Sequence, residues 1–374
     1  MSLRAAINLT RKAWRRVLAA PGRVRQQVRR FEKRRERFRT YRAEWGIERD
    51  IARIARGSEP IIVGPWLSEV GYEVLYWIPF VRWVQVHHNV SPSRFVVVSR
   101  GGASAWYQHS GSSAIEMFDL IDPATFAARN AQRAADGLGT LKQFLMSPMD
   151  LEIIDAVKHR IGAPSAHVLH PSILYRLFHQ FWLGHRPDSF YDSHTRHARI
   201  TASDASIPAG LPDSYVAVKF YTATSLPAAP AVRQALESLV ETIAEATPVV
   251  MLDTGMTFDD HHEHVVRTSS RVFTLSGRLE PRSNLAVQTA VIARANAFVG
   301  TCGALAWLAP MLGIDTVAVM ADPRFLHHHL QVARRVYQRM EGAGRFSVLD
   351  LGACDQLGVT LRVDPLAMVE LRRG

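Results

Sequence analysis

The chain has 374 residues, 47% of them hydrophobic and 21% charged, with Gly and Pro at ordinary levels. That balance excludes a disordered or collagen-like protein, and the length suits two domains plus an appendage. The net charge of +11 is local: residues 1–56 hold 18 Lys/Arg against 5 Asp/Glu, leaving 27 against 29 for residues 57–374. A near-neutral body therefore carries a basic end, and the high overall charge says nothing about a cleft.

Two cysteines, Cys302 and Cys354, make neither a disulfide framework nor a metal-ligand spacing, which fits a reducing compartment. No stretch has the eighteen or so apolar residues of a membrane span. The N-terminus lacks the apolar core and cleavage site of a secretory signal; its Arg-rich, acid-free first thirty residues resemble a mitochondrial presequence, but the basic pattern continues past Glu32 and Glu36. The expected location is the cytoplasm, with a peripheral position on the inner face of the cell membrane as its extension.

In chain order, Leu3, Ile7, Trp14, Val17 and Leu18 share one face of a first helix ringed by Arg4, Arg11, Arg15 and Arg16. Pro21-Gly22 interrupts it, and Val24, Val28, Phe31, Phe38, Tyr41 and Trp45 then mark a second helix. Two readings of residues 1–56 stand side by side: an anchor on an anionic membrane surface, and a solvated helix or short coiled coil packed on the body. Nucleic acid ranks behind both, because no binding motif accompanies the charge.

From residue 60 strands alternate with helices. PIIVGPW (60–66) is a strand, GYEVLYWIPFVRWVQVHH (71–88) a helix, RFVVVSRGG (94–102) a strand, and 112–187 mainly helical with a short strand at 166–170. The polar stretch 189–212, ending in Pro/Gly punctuation, is the expected linker. Beyond it strands are expected at 214–221, 248–255, 271–277, 297–300, 315–321 and 346–351, and helices at 231–246, 283–295, 303–312 and 325–340. Apolar strands without polar alternation, separated by amphipathic helices, indicate parallel sheets covered on both faces. The expected fold class is α/β, with boundaries at 1–56 for the basic extension, 57–188, 189–212, 213–352, and a tail at 353–374. Ligands of such sheets sit beyond the carboxyl ends of the strands.

Four motifs lie at such ends. In AFVGTCGALAWLAPMLG (297–313), Gly300 and Gly303 allow tight turning, and the amides of Thr301, Cys302, Gly303 and Ala304 begin a helix that attracts an anion. A turn that only packs helix on sheet is the competing explanation. Lys219 ends the apolar strand VAVKFY, where a cation is costly unless it meets an anion. Arg278 and Arg282 follow another strand, and the three cations are expected to converge with residues 301–304 on a diphosphate; each has a plain surface cation as its competing reading, which for Arg282 is the preferred one. In the N-terminal half, Glu69 sits in the loop after the first strand as a candidate general base, whereas Glu73 falls in a first helical turn, where the dipole alone favours a carboxylate. Glu73, Arg100 and Gly101 are the candidate acceptor-side residues. The histidines of FDDHHEHV (258–265) and LHHHLQ (326–331) lack metal-site spacing, and no metal or cofactor is expected.

S-E-V-G-Y-E-V-L-Y-W-I-P-F-V-R (68–82) resembles the opening loop of certain bacterial GT-B-type glycosyltransferases. Residues 284–313 are similar to the nucleotide-sugar segment of heptosyl-, fucosyl- and GT61-like transferases, although Ala304 and Leu305 replace the usual His or Ser after the second glycine. The resemblance implies two Rossmann-like, GT-B-like lobes, a donor diphosphate held at Gly300, Thr301, Gly303 and Ala304 with Lys219 in support, and Glu69 facing the acceptor. It implies metal-independent transfer of a sugar from a nucleotide-sugar donor to a cell-envelope glycan or lipid-linked acceptor. A catalytically silent binding or scaffold protein, and a nucleotide-sugar epimerase, are the alternatives on the same lobes.

Overall fold

A computed structural model describes residues 40–110, 113–136, 142–202, 205–258, 262–264, 266, 269–322, 324 and 327–356. The first amphipathic helix expected from the sequence and most of the second lie outside them, as does most of the C-terminal tail. The chain divides into two compact units, residues 1–53 and 54–374. Of the first, the described part belongs to a helix, α1 (40–55), on which Tyr41 and Trp45 are exposed and the Arg49 guanidinium lies 5.5 Å over the Trp45 ring.

The second unit contains two parallel sheets. The first is built from β1 (Ile61–Val63), β2 (Phe95–Ser99), β3 (Ser113–Glu116) and β4 (His167–Leu169), in the order β3-β2-β1-β4. The runs IIV and FVVV are β-branched or aromatic and buried on both faces, which is why they read as unbroken apolar strands. Between them runs α2 (70–87), α-helical over Val70–Tyr72, π-helical over Glu73–Trp77 and α-helical again over Ile78–His87. The helices α3 (Pro123–Asp136), α4 (Pro148–Arg160), α5 (Pro171–Trp182) and α6 (Asp188–Ser193) follow. Proline opens α4 and α5, where its missing N–H costs nothing, and Ser147 and Asp150 close a reciprocal capping box on α4.

The second sheet uses β5 (Val216–Lys219), β6 (Val249–Met251), β7 (Val272–Thr274), β8 (Ala297–Thr301), β9 (Thr316–Met320) and β10 (Phe346–Asp350). Its helices are α7 (Pro230–Ala246), α8 (Asn284–Arg294), α9 (Ala304–Met311), α10 (His327–Arg339) and α11 (Leu351–Gln356). The order β10-β9-β8-β5-β6-β7, counted within this sheet, is the 3-2-1-4-5-6 order of a doubly wound sheet, and β3-β2-β1-β4 is the corresponding part of the same pattern. The two-lobed α/β class expected from the sequence is therefore present. Both sheets reverse their winding at a definite place, between β1 and β4 in one and between β5 and β8 in the other.

Leu236, Leu239, Val240 and Ile243 of α7 pack on Val216, Val218, Val249, Met251 and Val299 of the second sheet. Ile153, Ile154 and Val157 of α4 cover Ile62, Val96 and Val98 of the first. Each such side chain contributes about 1.5–3 kcal/mol on full burial. The stretch expected as a linker is partly structured: α6 falls in it, and Tyr191, His194, Thr195 and Ile200 are buried. Ile200 N donates to Met311 O at 3.0 Å and Arg199 to Leu312 O at 2.8 Å, which fastens the segment to the end of α9.

Candidate functional site

The loop after β1 is held by a buried polar network. Gln143 accepts from Leu67 N at 2.9 Å and donates to Pro65 O at 3.0 Å and to Asp150 Oδ1 at 2.8 Å. His170, at the end of β4, donates from Nε2 to Asp150 Oδ1 at 3.0 Å; its Nδ1 accepts from Ser172 N at 3.1 Å, which fixes the ring proton on Nε2. Burial works against the Asp150 carboxylate, but the His170 and Ser147 hydrogen bonds outweigh it and hold its pKa below the ordinary value. The network spans β1 and β4, so it rigidifies the first switch point.

Glu69 ends that loop as the extended residue preceding α2, with φ −66° and ψ 138°, half-buried and with no cap bond from its side chain. Its carbonyl accepts from Trp66 Nε1 at 3.2 Å and Glu73 N at 3.3 Å. Its carboxylate adds to burial in raising the pKa of the neighbouring phenols of Tyr72 and Tyr175. Arg100 lies beside the same loop, donating from Nη2 to Ser68 O at 3.0 Å, with its guanidinium 5.7 Å over the Phe126 ring. Gly101 faces elsewhere: its carbonyl accepts from Ala286 N at 2.9 Å and its amide donates to Glu116 Oε1 at 3.0 Å, which joins β2 to the start of α8.

Glu73 falls near the start of α2, as expected, but it is buried there. It opens the π-helical segment at 1% exposure, because Tyr107 closes over it and donates a 2.7 Å hydrogen bond to Oε1. Oε2 has no hydrogen-bond partner among the described residues. Burial pushes its pKa up to about 7, against the pull of Tyr107 and Arg100, with Glu116 adding to the rise. Dipole stabilisation at the helix start does not describe such a group. A π-helical turn at a buried carboxylate is a local irregularity of the kind found at functional sites.

At the second switch point, Gly300 lies opposite Lys219 in register, and a Cβ there would meet Lys219 O at 2.6 Å, so strand packing alone requires this glycine. Gly303 takes φ +136°, and a Cβ on it would stand 2.8 Å from the Tyr221 hydroxyl. Ala304, the first residue of α9, sits at φ +33°. The first turn of α2, just after Glu69, touches it: a Cβ on Gly71 would lie 2.8 Å from Ala304 N and 3.1 Å from the Trp307 ring. The starts of α9 and α2 are thereby in van der Waals contact, two residues beyond Glu69.

Several expected ligand contacts are otherwise engaged. The Thr301 hydroxyl accepts from Tyr221 N at 2.9 Å and donates to Tyr221 O at 3.0 Å, so it ties β8 to the chain beyond β5. Cys302 N donates to Val319 O at 2.9 Å, and burial pushes the Cys302 thiol up to about 12, which makes it inert. Lys219 donates from Nζ to Leu252 O at 2.7 Å and forms an ion pair with Glu263. The three cations do not converge: exposed Arg278 donates to Ala209 O, and Arg282 pairs with Asp119 of the first lobe.

Residues missed by sequence reasoning complete the region. Tyr72 OH and Tyr76 OH hold the two ring nitrogens of His329 at 3.0 and 2.5 Å, so α2 and α10 are joined through a neutral imidazole. Burial lowers the pKa of that ring to about 3, with Lys142 and His328 adding to the effect. The neighbouring histidines point apart: His327 pairs with Gln331 at 3.0 Å, and the His328 ring sits 4.4 Å from that of Phe181. The HHH run gave a signal, but its tyrosine partners lie more than 250 positions away.

No protein-family model matches the chain, and no curated protein matches it. Among solved structures it is similar to E. coli ADP-heptose LPS heptosyltransferase II, at 13% identity over 84% of this chain and 98% of the other, with a TM-score of 0.42. It is also similar to the glycosyl transferase family 9 protein of Veillonella parvula (12% identity, 82% and 90% covered, TM-score 0.39). E. coli heptosyltransferase WaaC with ADP gives 13% identity, 80% and 98% covered, and a TM-score of 0.39.

Proposed function

We propose that the chain is a glycosyltransferase that moves a sugar from a nucleotide-activated donor on the second lobe to an acceptor at the first. The observation that supports this most strongly is the seat of Gly71 against the start of α9. It brings the loop bearing Glu69, at one switch point, to the helix start at the other. Ligands of doubly wound sheets occupy such switch points, so the two halves of a transfer site adjoin. The similar structures, heptosyltransferases among them, are in keeping with it.

Glu69 takes the proton of an acceptor hydroxyl while the new glycosidic bond forms and the bond from the sugar to the diphosphate breaks. The diphosphate leaves with the bonding electron pair, and its charge meets the backbone amides of Gly303, Ala304 and Leu305 at the positive end of α9. Since side chains at 301, 304 and 305 offer no free donor, backbone amides carry this contact. A metal is not required for these steps. Residues 1–56, with exposed Tyr41 and Trp45 in their described part, place the site at an anionic membrane surface that carries a glycan or lipid-linked acceptor. Among the described residues no helix is long and apolar enough to cross a membrane.

A second reading, a binding protein without turnover, is favoured by the ion pair that takes up Lys219. A thermal-shift panel of UDP, GDP, ADP, CMP and their sugars, followed by product analysis, separates the two. The transferase reading expects one nucleotide series to raise the melting temperature and its sugar to be transferred. Binding without any product favours the silent protein, an isomerised nucleotide sugar means an epimerase, and no shift from any nucleotide contradicts the donor site.

A further inference from the structure

The carboxylate of Glu263 occupies a cradle of donors at the mouth of the second switch point. Lys219 Nζ bonds it from the end of β5. Thr254 N at 2.8 Å, Thr254 Oγ1 at 2.9 Å and Gly255 N at 3.0 Å bond it from the loop after β6. Gly255 takes φ +68°, so its amide and that of Thr254 face the same point. Consecutive amides turned inward, with a hydroxyl and an ammonium beside them, form an anion-binding concavity.

Glu263 reaches the cradle on a short strap. Residues 262–264 run antiparallel to 220–222, with Thr222 N donating to His262 O at 2.8 Å and His264 N to Phe220 O at 2.9 Å. Tyr221, opposite Glu263, is the residue that binds Thr301 and covers Gly303. Cradle, strap and the start of α9 are thus contiguous across β6, β5 and β8. A half-buried ion pair is weak evidence for stability, since partial desolvation of both charges offsets much of their attraction. Its place is informative, because it fills the carboxyl ends of β5 and β6 beside the winding reversal, where the fold puts ligands.

We propose that Lys219, Thr254 and Gly255 form an oxyanion cradle for a diphosphate ligand, and that Glu263 is its internal stand-in, displaced when the ligand binds. This rests on the second sheet being the donor-binding half, but not on sugar transfer. A diphosphate brings more oxygens and more negative charge to the same donors than one carboxylate, so it competes despite the tether. The cradle is closed by its own chain until an anion of that class arrives, and free affinity is lowered by the fraction of molecules with Glu263 in place.

The test is calorimetric titration of the full chain with inorganic pyrophosphate, for the wild type, Glu263→Gln and Glu263→Gln with Lys219→Met. Glu263→Gln is expected to tighten binding by about tenfold by freeing the cradle, and adding Lys219→Met to abolish the gain. In the wild type, the amide resonances of Thr254 and Gly255 are expected to shift as pyrophosphate is added. Unchanged or weaker binding by folded Glu263→Gln overturns the proposal, as does pyrophosphate binding that leaves those two resonances in place. If Glu263→Gln does not fold, the wild-type resonances decide alone. Tightened pyrophosphate binding without sugar transfer leaves the cradle standing and removes the transfer reading.

Discussion

Gly71 touches Ala304 N and the Trp307 ring where any Cβ would stand at 2.8–3.1 Å. Gly71→Ala is therefore expected to cost about 1–3 kcal/mol through overpacking, read as a lowered urea midpoint with an unchanged m-value. Glu73 gives a pH signature. Its folded pKa of about 7 lies above its ordinary value of 4.5, so the chain holds its proton more tightly when folded. The favourable contribution is full below pH 4.5, declines as pH rises from there to about 7, and is lost above that, a total on the order of 3 kcal/mol. Urea unfolding from pH 4.5 to 8 checks this, and Glu73→Gln is expected to flatten the decline. At this scale the sequence exposed Glu69, Gly300 and Gly303 through their places after apolar strands. It concealed the partner of Lys219, because Glu263 lies 44 positions away in a stretch notable only for histidines.

Among the elements, the inner strands of the second sheet, β5, β6, β8 and β9, were legible because they are mostly apolar and buried and bounded by turn residues. β3 was not: in SAIE only Ile115 is buried, so an edge strand leaves no periodic trace. The π-helical turn in α2 was equally hidden, since Glu73 to Trp77 keep helical spacing and the extra residue per turn is set by tertiary packing. The polar 189–212 segment looked like a linker because its buried anchors are few, namely Tyr191, His194, Thr195 and Ile200. The junction of β4 and α5 depends on His170, which is fully buried and caps the helix through Ser172 N. His170→Ala removes that cap and strips Asp150 of a buried partner, so a loss of about 3–5 kcal/mol is expected in chemical denaturation.

For the whole molecule, strand order was the property least legible in the sequence and most useful for locating the site. Alternation of strands and helices gives parallel sheets, but only the pairing of β5 with β8 and of β1 with β4 shows where each sheet reverses. Those reversals place Glu69 and the start of α9 in adjoining loops. The basic extension is a separate matter of location: deletion of residues 1–56 is expected to abolish sedimentation with anionic vesicles, whereas equal sedimentation of both chains contradicts a membrane role for it.

The central claim is that the two adjoining switch points make one transfer site, and it is tested most directly by Glu69→Gln in the full chain. With the nucleotide sugar identified by the binding panel, transfer is expected to fall about 10²–10⁴-fold while affinity for the nucleotide stays unchanged. Transfer that proceeds at the wild-type rate in Glu69→Gln would contradict it.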